Sequence, residues 1–170
     1  LQGFEVTSNI TTYKAVDKAF GENAQGFIDM LNKMSYKPEE IYSPQEEGWS
    51  NADFAWLSIG YNQLVYPLQM LTFYNAIANN GKMMKPYVVE SIEHNGKVEK
   101  KFKPEILNGA ICSKATADTL TRALKMVTLE GTGKSLKNSR CVVAGKTGTS
   151  RMHLTAEERG GSKDPYEDNE

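Results

Sequence analysis

The sequence has little of what marks a metal site, a membrane span or a nucleic-acid surface. It contains two cysteines and two histidines, and Cys112 and Cys141 lie 29 positions apart, which is not a metal-type spacing. Buried free thiols are the simpler interpretation of these cysteines, and a disulfide stays open if the compartment is oxidising. No apolar run approaches the roughly 18 residues of a membrane span. The net charge of −1 indicates no polybasic surface, so no nucleic-acid partner is expected.

The chain does have enough apolar sequence for a folded core. With 170 residues and 39% hydrophobic content, it is expected to be one globular domain or part of one. It begins at Leu1 without a methionine or a signal peptide, and we interpret it as an excised or processed piece of a longer protein.

The first third of the chain is predicted to hold two helices followed by a loop. Apolar residues three and four positions apart indicate helix over 11–34. Gly21 divides this segment, and Asn23 suits the N-cap of the second helix. The polar stretch 35–52, which contains two prolines, is predicted to be a long loop.

Two further helices are predicted downstream. One has Pro67 in its first turn, where the fixed φ of proline is suitable, and it ends at Asn79-Asn80-Gly81. The other follows Ser113 as N-cap and stops at Gly131-Thr132-Gly133. The apolar residues predicted on the inner face of this last helix are Ala117, Leu120, Leu124 and Val127.

The sequence also contains strand patterns. Their order lacks the regular strand–helix alternation that is typical of a parallel sheet. Residues 87–92 and 97–102 are predicted to form a hairpin around Asn95-Gly96, a pair that suits a tight turn. Residues 141–149 are predicted to form a strand near the end of the chain. This order indicates an α+β fold with a mainly antiparallel sheet.

The predicted final strand carries Lys146-Thr147-Gly148-Thr149. A lysine ammonium and a threonine hydroxyl can hold a carboxylate, one as a point charge and the other as a donor. Gly148 leaves room for a ligand lying along the strand, and the Thr149 amide can point at a developing oxyanion. Taken alone, Lys-Thr-Gly also suits an ordinary exposed turn.

Four blocks in order make this chain resemble the penicillin-binding transpeptidase domains. They are a Gly-rich turn leading into Pro-Leu-Gln within 58–69, an Ala-Asn-Asn-Gly…Pro pattern within 74–86, the Gly-Thr-Gly at 131–133, and Ala-Gly-Lys-Thr-Gly-Thr at 144–149. The resemblance covers about Phe4 to Ser150. In its details the chain is most similar to the class B, monofunctional, division-type enzymes.

The resemblance implies an α+β fold of the β-lactamase/transpeptidase type, with helices packed on a mainly antiparallel sheet that is incomplete in this chain. Residues 1–154 are expected to be the central part of such a domain. Residues 155–170 are acidic and Gly-containing with almost no apolar side chain, so we expect a polar loop or a disordered tail there.

A second motif of the family, Ser-x-Asn, has its counterpart in Thr7-Ser8-Asn9. Threonine stands where the family usually has serine, which keeps a hydroxyl for proton relay and adds a methyl group. Ser and Asn are also favoured helix caps, so a capping role is the structural alternative for this tripeptide. Tyr66 is a further departure, since the family usually has a small hydroxyl residue before this proline.

The third motif, Ser-x-x-Lys, supplies the nucleophile in this family, and no serine of the sequence has lysine three positions later. Thr11 and Lys14 have that spacing with the wrong hydroxyl residue, on a segment predicted to be a packing helix. We therefore expect the nucleophile to lie outside this chain, and the isolated chain is predicted to be catalytically inactive.

The function that the resemblance implies is peptidoglycan crosslinking by an acyl-serine mechanism that β-lactams inhibit. By resemblance, Thr7 and Asn9 assist proton transfer and orient the substrate amide, and Lys146 contributes positive charge. The substrate-binding residues so implied are Lys146, Thr147, Gly148 and Thr149. No metal and no organic cofactor is implied.

The same resemblance implies the partners and the location. The partners are peptidoglycan stem peptides, β-lactam antibiotics and the proteins of cell division and cell-wall synthesis. The parent protein is expected to be membrane-anchored at the periplasmic face of the inner membrane, with no anchor in this chain.

Two alternatives stay open. Gly131 to Ser135 resembles the end of a phosphate-binding P-loop, although Thr128 stands where that motif needs its first glycine and the predicted preceding element is a helix. A relative without the nucleophile could instead be an inactive penicillin-binding scaffold or sensor. A Ser-x-x-Lys upstream in the parent protein would favour the enzyme.

Overall fold

The computed structural model describes residues 1–21, 23–38, 40–41, 50–148, 150–153 and 166–169. The α-helices found there are α1 Gln2–Glu5, α2 Asn9–Phe20, α3 Ala24–Lys33, α4 Asn51–Ser58, α5 Pro67–Ala78 and α6 Lys114–Leu129. A single 3₁₀ turn at Lys134–Leu136 follows α6.

The strands form four separate antiparallel pairs in the part of the chain that is described. These pairs are β1 Glu40–Ile41 with β2 Gln63–Leu64, β3 Met83–Met84 with β6 Ile106–Asn108, β4 Ser91–His94 with β5 Lys97–Lys101, and β7 Ser150–His153 with β8 Tyr166–Asn169. The α+β class and the antiparallel pairing are confirmed.

The break between α2 and α3 lies where the sequence predicts it. Gly21 adopts a φ of +56° after the last residue of α2, a conformation that glycine reaches without steric cost. The Asn23 side chain then accepts a hydrogen bond of 2.8 Å from the Gly26 amide and caps α3.

Helix α4 departs from the sequence prediction, which gives a loop over 35–52 and no helix over 51–58. Its N-terminus is fixed by a capping box in which the Asp53 amide donates to the Ser50 hydroxyl at 3.2 Å. The buried Asp53 carboxylate in turn accepts from the Ser50 amide at 3.1 Å and hydroxyl at 2.7 Å. The spacing of Ser50 and Asp53 is therefore the sequence signal for this helix.

Two apolar clusters hold the helices together. The first lies between α2, α3 and α4, where Phe27 makes edge-to-face contacts with Phe20 and Phe54 at centroid distances of 5.5 and 6.0 Å. Its remaining buried members are Ala24 and Leu57. The second joins α5, β3 and the start of α6, and its buried residues are Ala76, Ile77, Met83 and Ile111.

Helix α6 buries the face that its periodicity predicts. Ala117, Leu124 and Val127 are buried, Val127 completely, and Leu120 packs partly buried against the second cluster. The Ser113 hydroxyl accepts a hydrogen bond from the Thr116 amide, as expected for the N-cap. This helix also carries the residues that position the candidate site.

The hairpin around Asn95-Gly96 is confirmed, with φ of +49° and +71° at the two turn residues. Its first strand begins at Ser91, later than predicted. A larger difference concerns 141–149, for which a strand is predicted. Residues 142–148 are not in a strand, because no neighbouring strand pairs with them in the described part of the chain, and Thr149 lies outside the described residues.

The stretch 155–170, predicted to be a polar loop or tail, contains the strand Tyr166–Asn169, which pairs with Ser150–His153. Residues 155–165 and 170 lie outside the described residues. Cys112 is half-buried, Cys141 is exposed, and both thiols are free. None of the described helices combines the length and apolar character needed to cross a bilayer.

Replacing Leu57 by alanine tests the first cluster. Leu57 is 2% exposed, so Leu57→Ala is expected to lower the free energy of unfolding by about 3 kcal/mol through lost burial and the cavity left behind. Leu71→Ala, at a residue 56% exposed, is the matched control and should change it by less than about 0.5 kcal/mol. Urea denaturation of both variants measures the difference, and equal losses would contradict this core.

Candidate active site

The first component of the site is the turn between α1 and α2. Thr7 has a φ of +55°, a region that β-branched residues rarely adopt. The next residue, Ser8, caps α2 by accepting from the Thr11 amide, and the Ser8 amide donates to the Gly3 carbonyl at 2.8 Å. The capping interpretation therefore holds for Ser8, while the Thr7 side chain is left for other contacts.

The second component is the segment before Lys146, which α6 holds in place. The buried Thr128 hydroxyl donates to the Val143 carbonyl at 2.7 Å, and the Gly145 amide donates to the Leu124 carbonyl at 3.3 Å. Both contacts come from the inner side of the last turns of α6. They fix the backbone that leads into Lys146.

The third component is the Gly131-Thr132-Gly133 turn that follows α6. The Thr132 amide donates to the Glu5 carbonyl at 3.1 Å. A β-carbon at Gly131 would collide with the Glu5 carbonyl oxygen, so only glycine permits this approach. The turn is thereby held against the end of α1, two residues before Thr7.

These components bring one cation and three hydroxyl groups together. Lys146 Nζ donates to Thr7 Oγ1 at 2.7 Å and to the Thr147 carbonyl at 3.0 Å. Thr7 Oγ1 lies 3.0 Å from Thr132 Oγ1 and 3.1 Å from Thr147 Oγ1. The Oγ1 atoms of Thr132 and Thr147 are 2.6 Å apart, which closes a triangle of hydrogen-bonding hydroxyls.

The ammonium of Lys146 has no carboxylate partner among the described residues. It is surrounded by the Thr7 hydroxyl, the Thr147 carbonyl and the ring of Phe4, whose centroid is 5.7 Å from Nζ. Partial burial lowers the pKa of Lys146 below its ordinary value, because desolvation disfavours the charged form. The cation is thus available to an anionic group, and the hydroxyls beside it can transfer protons.

Only some of the site residues predicted from the sequence lie in this cluster. Thr7, Lys146 and Thr147 lie in direct contact, and Gly148 follows them on the exposed side. Asn9 is exposed in the first turn of α2, and its side chain makes no hydrogen bond to the cluster. Thr149 lies outside the described residues.

Thr132 is the member of the cluster that the sequence does not predict as a site residue. Its sequence signal is the Gly-Thr-Gly block, which indicates the family resemblance and the end of α6. The same turn does not have the geometry of a P-loop, since it follows a helix and leads into the 3₁₀ turn Lys134–Leu136. Among the described residues, no group of three His, Cys, Asp or Glu side chains could hold a metal ion.

Solved structures with this arrangement of helices and small sheets are transpeptidase domains of penicillin-binding proteins. The D,D-transpeptidase domain of a peptidoglycan glycosyltransferase from Eggerthella lenta has a TM-score of 0.69 at 26% identity, covering 88% of this chain and 41% of that one. Penicillin-binding protein 3 from Mycobacterium tuberculosis has a TM-score of 0.71 at 25% identity, covering 92% of this chain and 38% of that one. The fold class is that of these domains.

Comparison of sequences leads to the same family. A family profile described as penicillin binding protein transpeptidase domain matches residues 6–165, and the chain belongs to this family. Penicillin-binding protein 1A/1B of Bacillus subtilis is 34% identical over 112 residues, which are 63% of this chain and 12% of that protein. PbpB of Mycolicibacterium smegmatis is 31% identical over 117 residues, which are 64% of this chain and 18% of that protein. The chain thus spans less than a fifth of these relatives.

Gly131→Ala tests the close approach of the turn to α1. The added methyl would meet the Glu5 carbonyl oxygen, so we expect the free energy of unfolding to fall by about 2 kcal/mol. Gly109→Ala is the control, because nothing lies within 4 Å of the added carbon there, and its effect should not exceed about 1 kcal/mol. A loss at Gly131 no larger than the loss at Gly109, measured by urea denaturation, would contradict the contact.

Lys146→Met tests the burial of the cation through the pH dependence of stability. Because folding lowers the pKa of Lys146 below 10.5, the unfolded chain binds the proton more tightly. The free energy of unfolding of the wild type, relative to Lys146→Met, should therefore be flat at neutral pH and rise as the pH approaches 10.5. Urea titrations at a series of pH values measure this difference, and a constant or falling difference would show that the site does not desolvate the ammonium.

Proposed function

We propose that the parent protein is a D,D-transpeptidase that crosslinks the D-Ala-D-Ala stem peptides of peptidoglycan through an acyl-serine intermediate. The observation that supports this most is the Lys146 ammonium, which has no carboxylate partner among the described residues and donates to the Thr7 hydroxyl. The chain that holds it belongs to the penicillin-binding transpeptidase family. One of the named relatives, from Mesostigma viride, is a peptidoglycan D,D-transpeptidase FtsI homolog.

The proposed reaction has two acyl transfers. A serine hydroxyl attacks the carbonyl of the penultimate D-Ala, the ester bond forms, and the terminal D-Ala leaves as its C–N bond breaks and its nitrogen takes up a proton. An amine of a second stem then attacks the ester, the crosslink forms, and the serine hydroxyl is regenerated. The nucleophilic serine is expected outside this chain, which has no Ser-x-x-Lys.

In this proposal Thr7 and Lys146 move the proton from the attacking serine toward the leaving nitrogen. The 2.7 Å contact lets the Thr7 hydroxyl release its own proton while Lys146 stabilises the oxygen. Lys146 and Thr147 also receive the terminal carboxylate of the stem, beside Gly148, and the Thr149 amide contributes to the oxyanion hole. Asn9 would orient the substrate amide from the start of α2.

The same proposal covers ligands and location. Penicillin-binding protein 3 from Mycobacterium tuberculosis has been solved with aztreonam and with ampicillin, each at 25% identity to this chain. We propose that β-lactams acylate the same serine here. We also propose that the parent protein acts with division and cell-wall proteins as a class B, division-type enzyme, anchored at the periplasmic face of the inner membrane.

Labelling by a fluorescent penicillin tests the proposal. The parent protein should be labelled, the isolated chain should not, and Lys146→Ala in the parent should slow labelling by about a hundredfold or more. Lys14→Ala is the matched control, because Lys14 is an exposed lysine on α2, and it should label at the wild-type rate.

The second candidate function is an inactive penicillin-binding scaffold or sensor, which a parent protein without Ser-x-x-Lys upstream of this chain would favour. It predicts that neither the chain nor the parent becomes covalently labelled. Labelling of the isolated chain would contradict both candidates, because one of its own hydroxyls would then be the nucleophile.

A further inference from the structure

We infer that Thr132 is a positioning residue of this site: its hydroxyl holds the Thr7 hydroxyl in the orientation that accepts from Lys146. The inference rests on the proposed function, because it gives Thr132 its role through the proton-transferring hydroxyl of Thr7. Thr132 itself makes no hydrogen bond to Lys146 among the described contacts and, in the proposal, does not bind the substrate.

The backbone of Thr132 is anchored to the segment that carries Thr7. Its amide donates to the Glu5 carbonyl at 3.1 Å, and the adjacent Gly131 allows the two backbones to meet at a distance that a β-carbon would block. The Thr132 hydroxyl is therefore fixed relative to the α1–α2 turn and does not depend on a flexible loop.

A count of donors and acceptors shows what this hydroxyl does. Thr7 Oγ1 accepts from Lys146 and is also hydrogen-bonded to Thr132 Oγ1 at 3.0 Å and to Thr147 Oγ1 at 3.1 Å, contacts in which either hydroxyl can be the donor. Thr147 is the hydroxyl proposed to turn toward the substrate carboxylate. When it does so, Thr132 remains hydrogen-bonded to the Thr7 hydroxyl, and with Thr132 as the donor the Thr7 proton stays free for the proposed transfer.

Thr7 needs such a partner because its hydrogen bond with Lys146 forms in only one χ1 rotamer. Rotation about χ1 to another staggered position would replace the hydroxyl by the methyl group or by hydrogen and break the 2.7 Å contact with Lys146. The φ of +55° shows that the turn is already held in an unfavourable conformation. Hydrogen bonds from two sides, Lys146 and Thr132, select one rotamer in this turn.

The direct test is the χ1 population of Thr7 in this chain, from three-bond NMR couplings to its γ-carbon. Wild type and Thr132→Ser should each show one dominant rotamer, and Thr132→Val should show averaging over two or more. Thr119→Val is the matched control, because the Thr119 hydroxyl donates only to the carbonyl of its own helix and should leave Thr7 unchanged. A single dominant χ1 rotamer of Thr7 in Thr132→Val would overturn the inference whether or not the parent protein is an enzyme.

The functional test uses the parent protein and separates binding of penicillin from acylation. Thr132→Val should lower the acylation rate at saturating penicillin by about tenfold, a part of the hundredfold or more that a proton-transferring group contributes. The half-saturating concentration should change by less than about twofold, and Thr132→Ser should restore the rate, since only the hydroxyl matters. If Thr132→Ser lowered the acylation rate as much as Thr132→Val does, Thr132 would act through packing and the inference would be overturned.

A double mutant shows whether Thr132 acts through Thr7. In the Thr7→Ala background, Thr132→Val should cause no further loss of acylation rate, whereas independent roles would multiply the two losses. If Thr132→Val does not fold, Thr132→Ala serves as the second hydroxyl-free variant. An unlabelled wild-type parent would refute the proposed function, and the rotamer measurement would then decide the positioning role alone.

Discussion

The hydrogen bond from Lys146 to Thr7 is the contact on which the candidate site depends. It joins residues 139 positions apart, and both partners are held unfavourably. Thr7 occupies a left-handed turn that costs a β-branched residue about 1–3 kcal/mol, and Lys146 loses part of its hydration. Neither the left-handed turn at Thr7 nor the desolvation of Lys146 would persist alone. The packing around the two residues must therefore hold them in place.

Helix α6 is the element that makes the contact possible. The buried Thr128 and the Leu124 carbonyl hold the segment before Lys146, and the turn after the helix meets the end of α1 through Gly131 and the Thr132 amide. The two halves of the site are thus positioned by the last turns of α6 and by the turn that follows it, and the inner face of α6 is anchored by the fully buried Val127. Errors in the length or rotation of α6 would therefore move both partners of the contact.

Local signals in the sequence predicted local structure well and long-range structure poorly. Asn23, Ser113 and the Asn95-Gly96 turn lie where capping and turn chemistry place them. Helix α4 was missed although Ser50 and Asp53 form its capping box, because the surrounding prolines and glycine favoured a loop. The strand over 141–149 was predicted from composition, but a strand also needs a pairing partner, which sequence periodicity does not supply. Thr132 was overlooked for the same reason: its role appears only when distant hydroxyls meet.

The geometry also bears on whether Lys-Thr-Gly is a motif or an ordinary turn. A structural lysine at a turn usually extends into water or pairs with a carboxylate, and four such ion pairs occur at exposed positions among the described residues. Lys146 has no carboxylate partner among the described residues: its ammonium donates to the Thr7 hydroxyl and to the Thr147 carbonyl, which only partly replace its hydration. A lysine with no counter-ion among the described residues, set beside three hydroxyls, is poorly explained by stability. The proposed function gives it a reason, because the carboxylate of a stem peptide would supply the negative charge.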